Sequence, residues 1–424
     1  MISVDISNVW CRVSLPEVLG NEQTVAQAHQ LLAGIDWKQG ESYGWLTRSL
    51  AMRRDTLEQL QAAAEKLRSQ SRVIVVLGSG AAYAGVRAAI RLSMGRLSPV
   101  PRLLFAGEHP SPDDWADVLT ALDGVDFSVI ALCETGNEIP PLIALRSLRW
   151  IMDKRYGAGM KERIVICAPA GSNAMANLAE TEGYAFWSAP QETGAPKSAL
   201  QPGALLTLAA AGRSADLLWQ GALSQLELCD ERTMENPAWM MAAAETALQK
   251  KGMRRALLCT PEPAAAELGR WWSHLITSCG CKNGGGAWAD AVRLPEELPL
   301  IAESLLDPRQ MQYLTMLRLQ PSAKNTAVEM AWRDPDRISA LTGLTLSSVS
   351  ETMLDTVAEA VFGANVPLIV VRCEEDLTDD KIGELLYFAE FSAALSAKTA
   401  GADPYAQAET RSLFRAIDHR LGRE

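Results

Sequence analysis

The sequence predicts a two-domain α/β protein built on parallel sheets. Three observations predict it. At 424 residues the chain is too long for one ordinary core, since a domain takes roughly 100–200 residues. Hydrophobic residues make up 48% and charged residues 21%, a globular balance rather than a disordered or fibrous one. Short, continuously apolar, β-rich runs alternate with longer stretches of helical periodicity, which is the rhythm of strand–helix–strand units.

The elements follow in order. VIVVLG (73–78), RLLFAG (102–107), FSVIALC (127–133), RIVICAP (163–169) and YAFWSA (184–189) read as buried strands, because a parallel strand covered on both faces needs apolar side chains on both. Helical stretches at Pro141–Lys154 and Ser172–Glu182 separate some of them. RRALLCT (254–260), QYLTMLRLQ (312–320) and PLIVVRCEE (367–375) form a second set of strands. Helical patterns at Pro237–Lys251, Ala264–Thr277, Ser347–Gly363 and Asp380–Lys398 accompany it. Ala406–Leu421 reads as a last helix. Residues 1–44 have weak periodicity and read as a peripheral arm; 45–212 and 213–400 are the expected α/β domains, and 401–424 the C-terminal helical segment. There is no fixed-period repeat.

Charge and cysteine usage exclude whole classes. Lys plus Arg number 40 against 51 Asp plus Glu, a net charge of −11 without any basic run, which argues against nucleic acid and anionic membranes as partners. The longest apolar stretch, Val73–Val86, is Gly-rich and too short to span a bilayer. The start lacks the basic flank and apolar segment of a signal peptide. Eight scattered Cys suggest a reduced, cytoplasmic chain.

Two turns are placed to hold a ligand. Leu77-Gly78-Ser79-Gly80 follows the first strand and opens a helix, so backbone amides face whatever sits there. The spacing Gly78-x-Gly80-x-x-x-x-Gly85 is not the dinucleotide fingerprint, and no cofactor is called for. The third such turn is Cys133-Glu134-Thr135-Gly136-Asn137-Glu138, before a helix that begins near two prolines. Ligands of parallel sheets lie at the carboxyl ends of strands, so the two turns are expected to share one crevice.

Several short stretches, in order, carry a family likeness. They are Tyr83-Ala84-Gly85-Val86-Arg87, Thr135-Gly136 with Pro141-Leu142-Ile143-Ala144-Leu145-Arg146, and Ser198 with Leu200-Gln201-Pro202. Asn236-Pro237-Ala238, Lys282 with Gly284 and Gly286, and Asp403-Pro404-Tyr405-Ala406-Gln407 complete the set. Their sequence and spacing, from about Tyr43 to Arg415, resemble the phosphoglucose isomerase family, proteins of two sugar-isomerase (SIS) domains. The resemblance implies two SIS-type doubly wound parallel-sheet domains with a C-terminal helix packed across them. It also implies a small-molecule sugar or sugar derivative as ligand, and a homodimer.

The chain departs from that family where chemistry is done. The family's phosphate loop reads Ser-Lys-Ser-Gly-Thr-Thr; here it keeps one hydroxyl and gains Glu134 and Glu138. A phosphate about 4 Å from a carboxylate is repelled by several kcal/mol at an effective dielectric near 20. A helix N-terminus returns up to about 2 kcal/mol, too little to offset both charges. The alternative is that both carboxylates face solvent and help start the helix. The first turn's usual serine falls at Ala82. The family's carboxylate base, which carries a proton between C1 and C2, falls at Ser278. Its enediolate arginine falls at Pro196, beside Lys197, and its ring-opening histidine at Pro299. The C-terminal lysine has no clear counterpart, with Arg411 or Arg415 as substitutes.

Replacements are available. His274 lies one helical turn before Ser278, and Glu296 and Glu297 are alternative bases. Cys279-x-Cys281 beside Lys282 reads as inert, as a reactive thiol or as half a metal site, although no zinc spacing accompanies it. The Trp pair 271–272, Trp219 and Trp239 read as core or subunit contacts. The candidate catalytic set is therefore Ser278, Lys197, His274, Glu297 and Arg415, and the candidate ligand-binding set Gly80, Ala82, Thr135, Gly136, Asn137, Glu138, Lys282 and Gln407, with no metal ligand. The function expected is aldose–ketose isomerisation of a sugar or sugar phosphate with rearranged groups, ordinary glucose 6-phosphate isomerisation being weak or absent. The alternatives are an inactive homologue that binds a carbohydrate or metabolite or serves as a partner subunit, and a transferase or lyase using the same crevice.

Overall fold

The structure is a computed structural model that describes residues 2–33, 52–94, 101–189, 198–282, 285–320, 325–405 and 411–423. Lys197 and Gln407 lie outside the described residues, as does Pro196.

β1 (Ile2–Asp5) takes its partner from the far end of the sequence. The next five strands are β2 (Val73–Gly78), β3 (Arg102–Ala106), β4 (Phe127–Leu132), β5 (Ile164–Pro169) and β6 (Ala185–Ala189). They form a parallel sheet of order β3-β2-β4-β5-β6. β2 shows why this sheet reads as continuously apolar. Ile74 and Val76 face one hydrophobic core, whereas Val73, Val75 and Leu77 face another. A strand covered by helices on both sides cannot alternate with polar residues.

The second sheet holds β7 (Arg255–Thr260), β8 (Trp288–Arg293), β9 (Gln312–Leu319) and β10 (Leu368–Cys373), in the order β1-β10-β9-β7-β8. All pairs are parallel except β1 against β10, where Ile2 faces Cys373. Residues from the expected arm thus supply an edge strand of the second sheet. The two sheets are those the sequence predicts, with β1 and β8 added.

The Asp379–Thr399 helix, buried along nearly its whole length, packs against the helices Ala215–Asp230, Ala266–Gly280 and Pro237–Lys250. It also reaches the chain just beyond the first sheet: Ser198 Oγ donates to Glu390 Oε2 at 2.8 Å and the Ala199 N–H to Oε1 at 2.7 Å. Trp239, Trp271 and Trp272 are each at most 1% exposed and belong to the core. The C-terminal helix Arg411–Arg420 is largely exposed, and the chain after it returns to the first unit, where Arg423 Nη1 donates to the Asn137 carbonyl at 3.3 Å.

Candidate functional site

Sheet order fixes where a ligand crevice forms. β2 lies between β3 and β4, so the chain leaves β2 in one direction and returns on the other side, a topological switch point. Gly78 pairs with Leu132, which sets the turn after β2 beside the turn after β4. At Gly80 the backbone takes a φ of +91°, a left-handed conformation that a side chain resists, and the Ala81–Met94 helix starts immediately.

The far wall of the crevice comes from the second sheet's first crossover, the Ala266–Gly280 helix. It lies close because Gly85 has no side chain: a Cβ there would stand 2.9 Å from the Trp271 indole and 2.6 Å from the Ala199 Cβ. Trp271 Nε1 donates to the Ala81 carbonyl at 2.9 Å and pins the two helices together. Between them is a cleft of about 580 Å³. Glu267, Arg270, His274 and Ser278, spaced three or four residues apart, project into it from one helix face, and Tyr83, Arg87 and Glu108 line it from the first unit.

Glu134 decides the character of the inner end. Its carboxylate reaches across from the β4 turn and accepts the Ala81 N–H at 2.5 Å. It lies so close that a Cβ on Gly80 would meet the Glu134 Cδ at 2.2 Å. The first amides of a helix, with their partial positive charge, form an anion seat. Here the protein's own carboxylate occupies it. Glu134 is thus turned inward onto the Ala81 amide, against the expectation that it faces solvent.

Glu138 behaves differently. Its Oε1 accepts the Thr135 N–H at 2.7 Å within its own loop. Thr135 Oγ1 accepts the Asn137 N–H at 3.2 Å, and Asn137 Oδ1 accepts from the Ala174 N–H at 3.0 Å. Gly136 is buried, and its carbonyl accepts the Met175 N–H at 3.0 Å. The loop is therefore laced to the next strand–helix turn, and of its residues only Glu134 lines the cleft.

The structure brings Gly80, His274, Ser278 and Lys282 into one cleft. Ala82 is 1% exposed, its methyl in the core beneath the turn. Lys282 Nζ donates to the Pro404 carbonyl at 2.8 Å, and burial lowers its ammonium pKa. Glu297 lies outside the cleft lining and is engaged by Arg293, whose backbone N–H and Nε stand 3.1 and 2.9 Å from its carboxylate and lower its pKa. Arg415 is exposed on the C-terminal helix, away from the cleft. Sequence reasoning passes over Tyr83, Arg87, Glu108, Glu267 and Arg270 as site residues. The i, i+3, i+4 spacing around His274 is the signal that finds two of them.

Electrostatics within the cleft are organised around Arg87, which pairs with Glu108 and, at 3.1 Å, with Glu267. Tyr83 OH donates to Glu108 at 3.1 Å. The His274 imidazole pKa is lowered, first by desolvation and then by the Arg270 charge one turn away, with Asp290 opposing. His274 is thus a neutral base near pH 7. Burial pushes the Cys279 thiol up to about 12, so no thiolate forms there. Among the described residues no cluster of three or more His, Cys, Asp or Glu is arranged to hold a metal, and no helix is long and apolar enough to cross a membrane.

Comparison with known proteins agrees with this architecture. The chain is 29% identical over 414 residues to a glucose-6-phosphate isomerase of Clostridium perfringens, covering 95% of this chain and 92% of that one. It is 29% identical over 416 residues to the enzyme of the same name from Exiguobacterium sibiricum. These similarities are consistent with a divergent member of the glucose-6-phosphate isomerase family. No family model matches it. Among solved structures, the chain shares its fold with a hypothetical protein of Thermus thermophilus, at a TM-score of 0.87, 18% identity and coverage of 99% and 100% of the two chains. A glucose-6-phosphate isomerase of Chlamydia trachomatis superposes with a TM-score of 0.76 at 13% identity, covering 99% of this chain and 88% of that one.

Proposed function

We propose that this protein takes a sugar in the cleft through its hydroxyls and interconverts aldose and ketose through an enediol, with His274 as proton carrier. On this reading ordinary glucose 6-phosphate isomerisation is weak or absent. The observation that carries the reading is the Glu134 carboxylate on the Ala81 amide, which fills the anion seat while the rest of the cleft stays open. A carbon-bound proton needs a positioned base. Neutral His274 takes the proton from C2 of the aldose as the carbonyl O1 becomes a hydroxyl, then returns it to C1 as the O2 hydroxyl gives up its proton and C2=O forms. Arg270, on the same helix face, supplies positive charge for the enediolate oxygen. Ser278 stands one turn further on, where the family resemblance puts a glutamate.

Proton NMR in D₂O tests this directly, because the enediol takes up solvent deuterium even when net conversion is slow. Wild type is expected to label C1 or C2 of an unphosphorylated hexose, and His274→Ala is expected to abolish the label. Turnover of glucose 6-phosphate at about 1–10³ s⁻¹, the common enzyme range, overturns the reading. Saturable sugar binding without any labelling replaces it with the inactive binding homologue.

The same reading carries over the family's homodimer. Met330 and Trp332, 82% and 95% exposed on the excursion after β9, support a subunit contact. Light scattering of the purified chain checks it.

A further inference from the structure

Beside the cleft lies a groove of about 750 Å³ whose character differs from the rest of this acidic chain. Four arginines line it: Arg87 and Arg91, one turn apart on the Ala81–Met94 helix, Arg102 at the start of β3, and Arg270 from the facing helix. Its carboxylates already have partners. Glu108 and Glu267 both bind Arg87, and Asp114 lies 3.2 Å from His109 Nε2. Arg91, Arg102 and Arg270 carry no ion pair and no side-chain hydrogen bond among the described residues. The groove's floor is apolar, from Ile90, Met94 and Phe105 among others.

The three guanidinium groups without an ion pair, Arg91, Arg102 and Arg270, lie on one concave surface, where they repel each other unless an anion completes them. Arginine is suited to that role, because its planar fork matches the oxygens of a phosphate and stays charged. We propose that this groove is a second anion site, one that binds a phosphate ester through Arg91, Arg102 and Arg270, with the carbon skeleton of the ester on the apolar floor. The site is separate from the seat that Glu134 fills. It shares a wall with the cleft, formed by Arg87, Glu108, Glu267 and Arg270, so its occupant changes the charge beside His274.

Titration calorimetry of the full chain with inorganic phosphate at low salt is the test. Binding is expected, falling steeply as potassium chloride is raised, since exposed guanidinium–phosphate contacts are screened. Arg91→Ala and Arg102→Ala are each expected to weaken it at least tenfold. Both positions are exposed on the surface, and unchanged melting temperatures verify folding. Glu134→Gln is expected to keep this salt-sensitive step and to add a separate one at the glycine turn that survives Arg91→Ala, which tells the two sites apart. No binding of phosphate by wild type, or wild-type affinity in both arginine variants, overturns the proposal. Deuterium exchange into an unphosphorylated sugar reads the cleft independently, so the proposed sugar chemistry stands or falls on its own result.

Discussion

Glu134→Ala should turn a closed anion seat into an open one. In the native chain the carboxylate holds the Ala81 N–H at 2.5 Å and fills the space beside Gly80. An incoming phosphate therefore meets a charge penalty and a steric one. Two unit charges about 4 Å apart interact by about 4 kcal/mol at an effective dielectric of 20. Glu134 is half-buried, so solvent screens part of that, and a gain of about 1.4–2.8 kcal/mol is the expectation, or roughly 10- to 100-fold in affinity. Glu134→Gln separates the two contributions, because it removes the charge and keeps the bulk. The expected order of phosphate affinity is Ala, then Gln, then wild type. The measurement belongs in an Arg91→Ala background, where the arginine groove no longer contributes. Glu134→Ala loses a hydrogen bond to a charged acceptor, at a cost of about 1–2 kcal/mol in unfolding free energy, whereas Gln keeps a neutral acceptor and should cost less. If Glu134→Ala binds phosphate no better than wild type, the carboxylate is not what closes the seat, and the altered loop has some other cause.

Further outcomes follow from groups away from the anion seat. Glu245 is buried and its pKa is raised from 4.5 to about 7 by desolvation, against hydrogen bonds that include Tyr313 OH. The folded state then holds this proton at pH values where the unfolded chain releases it. Stability should fall as pH rises from about 4.5 to about 7, by roughly 3 kcal/mol in all, and Glu245→Gln should flatten that slope in urea unfolding at about pH 5 and pH 8. Gly85→Ala should destabilise by about 1–3 kcal/mol, because its Cβ meets Ala199 and the Trp271 indole; thermal melts measure it. Thr135→Val removes a hydroxyl that accepts only the Asn137 N–H among the described contacts, so calorimetry should find sugar affinity in the cleft within twofold of wild type.

Why some of this was legible in the sequence and some was not has a physical basis. β2, β4 and β9 are buried along their whole length, and a strand covered on both faces announces itself by continuous apolar character. β8, by contrast, is an edge strand with Trp288, Asp290 and Arg293 exposed or partly so, and its apolar content is too sparse to read as a strand. β1 is four residues long and exists through a pairing with residues some 370 positions away, which no local pattern encodes.

The site divides along the same line. The two glycine turns are local features, and their shared crevice follows from strand order. What a side chain in one turn does to the other depends on register. Glu134 reaches the Ala81 amide only because Gly78 and Leu132 are hydrogen-bonded neighbours; from the loop sequence alone, an outward carboxylate is as acceptable as an inward one. The second wall is further removed, since Trp271 and Ala81 stand 190 positions apart and meet only once the two sheets have docked. His274, Arg270 and Glu267 are spaced correctly for one helix face, but that face becomes chemical only when Gly85 lets it approach the first unit. On the proposed reading a change of function at this cleft needs no change of fold: a glutamate where the family loop reads lysine closes one anion seat, and the arginines beside it receive another.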